Sequence, residues 1–156
     1  MPEETLVLCL GNAIRRDDGV GWRVAEALLV DSPLPGVEVR MTALSGLYLL
    51  DEMEGYDRVV VVDAVATGRH APGTVLSFPL EAVHAAPGPA PHGLGLPSAM
   101  EVARRMGAAV PSRVDVVAIE VADMHAIGYG LSAAVAAAVP EAAERVREAL
   151  SGLAAA

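Results

Sequence analysis

Lysine and glutamine are absent from this chain of 156 residues, and asparagine occurs once, at Asn12. All 11 basic residues are therefore arginine, set against 20 acidic ones, for a formal net charge of −9. A surface of that sign repels phosphate backbones, which argues against nucleic acid as a partner. Aromatic residues make up only 3%, too few to read single-stranded nucleic acid by base stacking. The single cysteine, Cys9, excludes an internal disulfide and a cysteine-based zinc cluster. No apolar run approaches the ~20 residues of a membrane helix. The acidic start Met1-Pro2-Glu3-Glu4-Thr5 lacks the basic, then long apolar, order of a signal peptide. The sequence reads as a soluble, cytoplasmic protein without membrane insertion.

What is present is enough for a core. Hydrophobic residues are 53% and charged residues 20%, a composition that buries a sheet and excludes global disorder. The length fits one domain, residues 1–156. Residues 6–10 form a short continuous apolar run, as in a strand buried on both faces. A polar loop follows, and residues 20–30 carry Val20, Val24, Ala27 and Leu28 at helical spacing. Further strands are expected at 37–41, at 58–62 (ending on Asp63), at 74–78 and at 114–121. Ser45 opens a short helix closed by Gly55; longer ones are expected at 97–106 and 132–150, the last kinked or split by Pro140. Residues 79–91 read as an irregular loop and 151–156 as a frayed end.

The turn before residue 74 is too short for a crossover helix, so that strand is expected antiparallel or at an edge. The alternation of strands and helices predicts an α/β fold. It is a three-layer α/β/α sandwich around a mostly parallel five-stranded sheet with one antiparallel strand. In such sheets ligands bind beyond the carboxyl ends of the strands.

Three strand exits carry unusual polar residues: Gly11-Asn12 through Asp17-Asp18-Gly19, then Asp63, then His92 within Pro91-His92-Gly93-Leu94-Gly95. Two carboxylates and one imidazole converging there would make an open, three-ligand site for a borderline first-row metal. Each residue has an ordinary reading as well. Asp18 is placed to cap a helix, Asp63 to make an Asx turn, and His92 to sit solvated in its loop. Asn12 suits a left-handed turn after Gly11, and Cys9 suits a small buried filler. Spacing alone leaves both sets of readings open.

Leu8-Cys9-Leu10-Gly11-Asn12 followed by Asp17-Asp18-Gly19-Val20-Gly21 resembles the opening signature of the hydrogenase maturation proteases. Val61-Val62-Asp63-Ala64, Ala71-Pro72-Gly73-Thr74, Pro91-His92-Gly93-Leu94-Gly95-Leu96, Gly130-Leu131-Ser132 and Pro140 extend the resemblance in order. It implies an endopeptidase that removes a C-terminal peptide from the precursor of a nickel hydrogenase large subunit. It implies that nickel already loaded in that substrate is the recognition signal, met by Asp18, Asp63 and His92. Asp17 is the second choice for the first acidic position, and Asn12 and Cys9 are secondary candidates. Either Asp18 or Asp63 is then the carboxylate that would activate water. Such ligands bind a cation when the carboxylates are ionised and the imidazole neutral, so affinity should fall below about pH 6.

Two departures from the family pattern stand out. Cys9 occupies a position where many members have Gly, and Met41-Thr42-Ala43-Leu44-Ser45-Gly46 replaces an acidic Asp-Gly-Gly-Thr stretch. A non-catalytic nickel-sensing chaperone for the large subunit would use the same ligands and is the alternative reading. A peptidyl-tRNA hydrolase shares the Leu-Gly-Asn exit but needs a basic groove, which the net charge opposes. Gly11 and Gly19/Gly21 lie too far apart for a dinucleotide fingerprint.

Overall fold

The computed structural model describes residues 5–31, 34–83 and 95–155. Five strands, β1 (Thr5–Leu10), β2 (Val37–Thr42), β3 (Arg58–Val65), β4 (Val75–Pro79) and β5 (Arg113–Glu120), form one sheet in the order β2-β1-β3-β5-β4. All neighbours are parallel except β4, which lies antiparallel to β5 at the edge. The short turn before β4 thus has the consequence expected of it. Helices α1 (Val20–Asp31), α2 (Tyr48–Glu52), α3 (Leu96–Arg105) and α4 (Ala133–Ala155) cover the two faces.

The strands read as continuous apolar runs because both faces are covered. Val7, Cys9, Val60, Val62, Val117 and Ile119 point to α1 and α4, where they meet Val24, Leu28, Val135 and Val146. Leu6, Leu8, Leu10, Val59, Val61 and Val116 point the other way, onto Leu49 and Met53 of α2 and Leu96 and Met100 of α3. This is the expected three-layer sandwich.

Some boundaries differ from the sequence reading. β3 does not end at Asp63 but runs two residues further, to Val65. Asp63 is opposite Ala118 of β5 and only 2% exposed, so an acidic residue is embedded in the ladder rather than terminating it. α4 is neither split at Pro140 nor frayed from Ser151, but continues to Ala155. Pro140 and Ala136, whose carbonyl loses its helical donor there, are both exposed, so the missing hydrogen bond falls on the solvent side of the helix, where it is tolerated. Residues 80–83, expected in an irregular loop, form a 3-10 turn, Leu80–Val83. The rest of that expected loop, 84–91, and His92 lie outside the described residues.

Candidate active site

The exit from β1 is built around one close approach. Gly11 has φ +141°, and a Cβ there would lie 2.0 Å from the carbonyl oxygen of Asp18 and 3.9 Å from its Oδ1. Only glycine lets the loop fold back this tightly. The Gly11 amide donates to the Thr42 carbonyl at 3.0 Å, and the Asn12 amide donates to the Asp18 carbonyl at 3.3 Å. Asn12 Oδ1 accepts from the Ile14 amide at 3.1 Å, an Asx turn. Asn12 therefore shapes the loop, and no described contact turns its side chain toward Asp18 or Asp63.

Residues Arg16–Gly19 form a 3-10 turn leading directly into α1. Asp17 and Asp18 are both buried in it, Asp18 completely. Gly21 then seats α1 on the sheet: a Cβ there would meet the Leu10 carbonyl oxygen at 2.3 Å and that of Val62 at 3.2 Å. Cys9 is level with Val62, which brings Leu10 level with Asp63. The segment carrying Asp18 thus closes over the carboxyl ends of β1 and β3, where Asp63 is embedded.

The two adjacent aspartates have different surroundings. Both oxygens of Asp17 are engaged by Ser132: the Ser132 amide donates to Oδ1 at 2.7 Å and its hydroxyl to Oδ2 at 2.8 Å. Ser132 immediately precedes α4, and its carbonyl accepts the Ala136 amide at 2.9 Å. Asp17 thus fastens the start of α4, where a carboxylate also suits the helix dipole. This accounts for Gly130-Leu131-Ser132 accompanying the acidic pair in the sequence.

Cys9 is fully buried in the cluster facing α1 and α4, whereas Asp63 alternates with Val61 and Val65 on the opposite face. Burial pushes the Cys9 thiol up to about 12, so it is neutral and unreactive. Its surroundings are those of an apolar filler. Among the described residues no three His, Cys, Asp or Glu side chains form a group able to hold a metal ion, and His92 is not among those residues.

Sequence reasoning passed over Glu120. It is 1% exposed, ends the apolar run of β5 and lies on the same face as Asp63. Its carboxylate accepts the Thr67 amide at 2.7 Å and the Gly68 amide at 3.4 Å, together with the Thr67 hydroxyl. It fixes the loop leaving β3. A lone acid closing an apolar run was the available signal, the same one that singled out Asp63.

Chemically, the corner offers buried carboxylate oxygens at the carboxyl edge, suited to holding a cation or to taking a proton from water. Among the described residues no helix is long and apolar enough to cross a membrane.

Comparison with known proteins agrees with this geometry. The family model HycI, hydrogenase maturation protease, matches residues 23–149. The chain is 33% identical over 150 residues to the hydrogenase 2 maturation protease of Escherichia coli K12, covering 93% of this chain and 89% of that one. It is 34% identical over 152 residues to the hydrogenase expression/formation protein HupD of Rhodobacter capsulatus, covering 94% and 71%. The solved structure of the maturating endopeptidase HybD from E. coli superposes with a TM-score of 0.81 at 31% identity, covering 96% of this chain and 93% of that chain. The HybD protease of Thermococcus kodakarensis superposes at 0.70 with 26% identity, over 93% and 97%. This chain belongs to the hydrogenase maturation protease family and is by that membership a peptidase.

Proposed function

We propose that the protein removes a C-terminal peptide from the precursor of a nickel hydrogenase large subunit, and that nickel in the precursor is the signal it reads. The observation that supports this reading is the burial of Asp18 and Asp63 where the β1 exit closes over β3. Carboxylate oxygens gathered at one buried corner are suitable donors for a divalent first-row cation. Nickel arriving with the substrate supplies such a cation, with His92 as the nitrogen donor the sequence adds. The metal belongs to the substrate, so its arrival reports that the precursor is loaded.

Holding the scissile segment against this corner is the main catalytic contribution. Fixing reactants in register can supply about 7–11 kcal/mol. Asp18 or Asp63 then takes the proton from the attacking water. The large-subunit precursor is the partner, and the reaction takes place in the cytoplasm, where that subunit is assembled.

The test is purified precursor with and without nickel, mixed with wild-type or His92→Ala protein and followed by intact mass. Loss of a C-terminal fragment only from nickel-loaded precursor and wild-type protein is the expected result. Equal cleavage in all four mixtures rejects nickel recognition. Binding of loaded precursor without cleavage in any mixture assigns the protein a chaperone role instead.

A further inference from the structure

The loop between β5 and α4 is fastened to the β1 exit as firmly as two strands are to each other. The Gly128 amide donates to the Ile14 carbonyl at 2.8 Å, and the Arg16 amide donates to the Gly128 carbonyl at 3.0 Å. Arg15 and Gly128 form an isolated parallel bridge. Four residues on, Ser132 is held by both oxygens of Asp17. So anchored a loop has little reason to expose apolar side chains, yet Ile14 is 46% exposed, Ile127 78% and Tyr129 82%. Hydrogen bonding on either side of Gly128 places all three on one lip, continuous with the turn that carries Asp18.

The charge of this lip runs against that of the protein. In a chain of net charge −9, Arg15 and Arg16 engage no carboxylate among the described residues. Arginines elsewhere, such as Arg40, Arg105 and Arg113, pair with Glu or Asp. Arg16 is the only non-glycine residue with positive φ, +47°, among the described residues. Its guanidinium lies flat over Gly128, where a Cβ would come within 3.1 Å of Nε. Strained backbone of this kind persists where the surroundings impose it, and it is concentrated at working sites. Here it fixes a cation beside exposed apolar groups.

We infer that Ile14, Ile127, Tyr129 and Arg16 form a docking lip for the precursor polypeptide, which reads an apolar side chain next to a carboxylate on that substrate. The occupant follows from the chemistry on both sides. A peptidase acts on a polypeptide, and a polypeptide approaching Asp18 meets this lip. Exposed Tyr and Ile at a fixed position suit an apolar contact made without ordering cost. An arginine that engages no carboxylate among the described residues suits one on a substrate. The inference rests on the proposed substrate and deepens it, by assigning the residues that select it.

The experiment uses the full chain and the nickel-loaded large-subunit precursor of the same organism. Cleavage kinetics and precursor binding are measured in parallel for wild type, Ile127→Ser/Tyr129→Ser and Arg16→Asn. Asparagine is chosen because it tolerates positive φ. Leu29→Ser/Val30→Ser, two exposed residues at the far end of α1, is the control, and melting temperatures are recorded for all. The expected result is a KM raised about tenfold in the apolar double variant, with kcat within about twofold and melting unchanged. Arg16→Asn raises KM and flattens its dependence on salt, while the control behaves as wild type. Wild-type KM in either lip variant, or an equal loss in the control, overturns the lip. If wild type fails to cleave, the proposed function falls and the binding arm decides. Precursor binding weakened only by the lip variants then sustains the inference, and equal or absent binding overturns it.

Discussion

Replacing Ser132 with alanine should loosen the β1 exit from α4 by a calculable amount. The side chain makes one hydrogen bond, hydroxyl to Asp17 Oδ2 at 2.8 Å, across 115 positions of sequence. Asp17 is 6% exposed, so water does not replace the lost donor freely. A hydrogen bond to a charged group contributes about 1.5–3 kcal/mol, and about 2 kcal/mol is expected here because the Ser132 amide still holds Oδ1. In a chain of this length that lowers the melting temperature by about 4–8 °C. Asp17→Ala removes both acceptors and should cost about 3–4 kcal/mol. Because the two residues act through each other, the double variant should cost no more than Asp17→Ala alone, a coupling of about 2 kcal/mol. Ser132→Thr keeps the hydroxyl and should be close to wild type. Urea denaturation of the four variants measures all of these. Additivity of Asp17→Ala and Ser132→Ala to within about 0.5 kcal/mol would refute the pairing.

Three further outcomes follow from the packing. Gly21→Ala places a Cβ 2.3 Å from the Leu10 carbonyl oxygen, so α1 must shift; a loss of about 3 kcal/mol is expected in urea denaturation, and a loss below about 0.5 kcal/mol contradicts the contact. Glu120→Ala frees the loop held through Thr67 and Gly68; limited proteolysis should cut that loop faster than in wild type, and an unchanged cleavage pattern contradicts its anchoring. Cys9 ionises in the unfolded chain near its ordinary 9.0 but in the folded protein only at about 12. The unfolded state therefore loses its proton first, and stability should fall as pH rises from about 9 toward 12, by about 1.4 kcal/mol per unit from this group. Cys9→Ala should lack that component in denaturation series across this range, and equal slopes contradict it.

Much of the fold was legible because periodicity and turn length carry it. The valine run of β3, the helical spacing of Val20, Val24 and Leu28, and the short turn before β4 each led to the right element. The misjudged boundaries share a cause: local signals were read without their burial. Asp63 resembled a strand end because an acid rarely continues a ladder, yet β3 continues through it. Pro140 resembled a break, yet it lies on the exposed side of α4. At the site, the motif located the segment but could not divide the labour within it. Asp17 and Asp18 are interchangeable as letters, and what assigns Asp17 its role is Ser132, 115 residues away from it. The lip at Ile127 and Tyr129 depends likewise on contacts between distant loops. Glu120, by contrast, carried a local signal, an acid closing an apolar run, and only its partners Thr67 and Gly68 were hidden.

The central claim is that Asp63 reads nickel carried by the substrate, and nickel-dependent cleavage by an isosteric variant tests it most directly. Asp63→Asn preserves shape in the β3 ladder but removes the ionisable carboxylate. Wild-type and Asp63→Asn proteins of equal melting temperature are mixed with precursor, nickel-free or nickel-loaded, and the C-terminal fragment is quantified by mass. The account predicts cleavage only by wild type and only of loaded precursor, with the variant also losing its preference for binding the loaded form. Cleavage of loaded precursor by Asp63→Asn at the wild-type rate would contradict it.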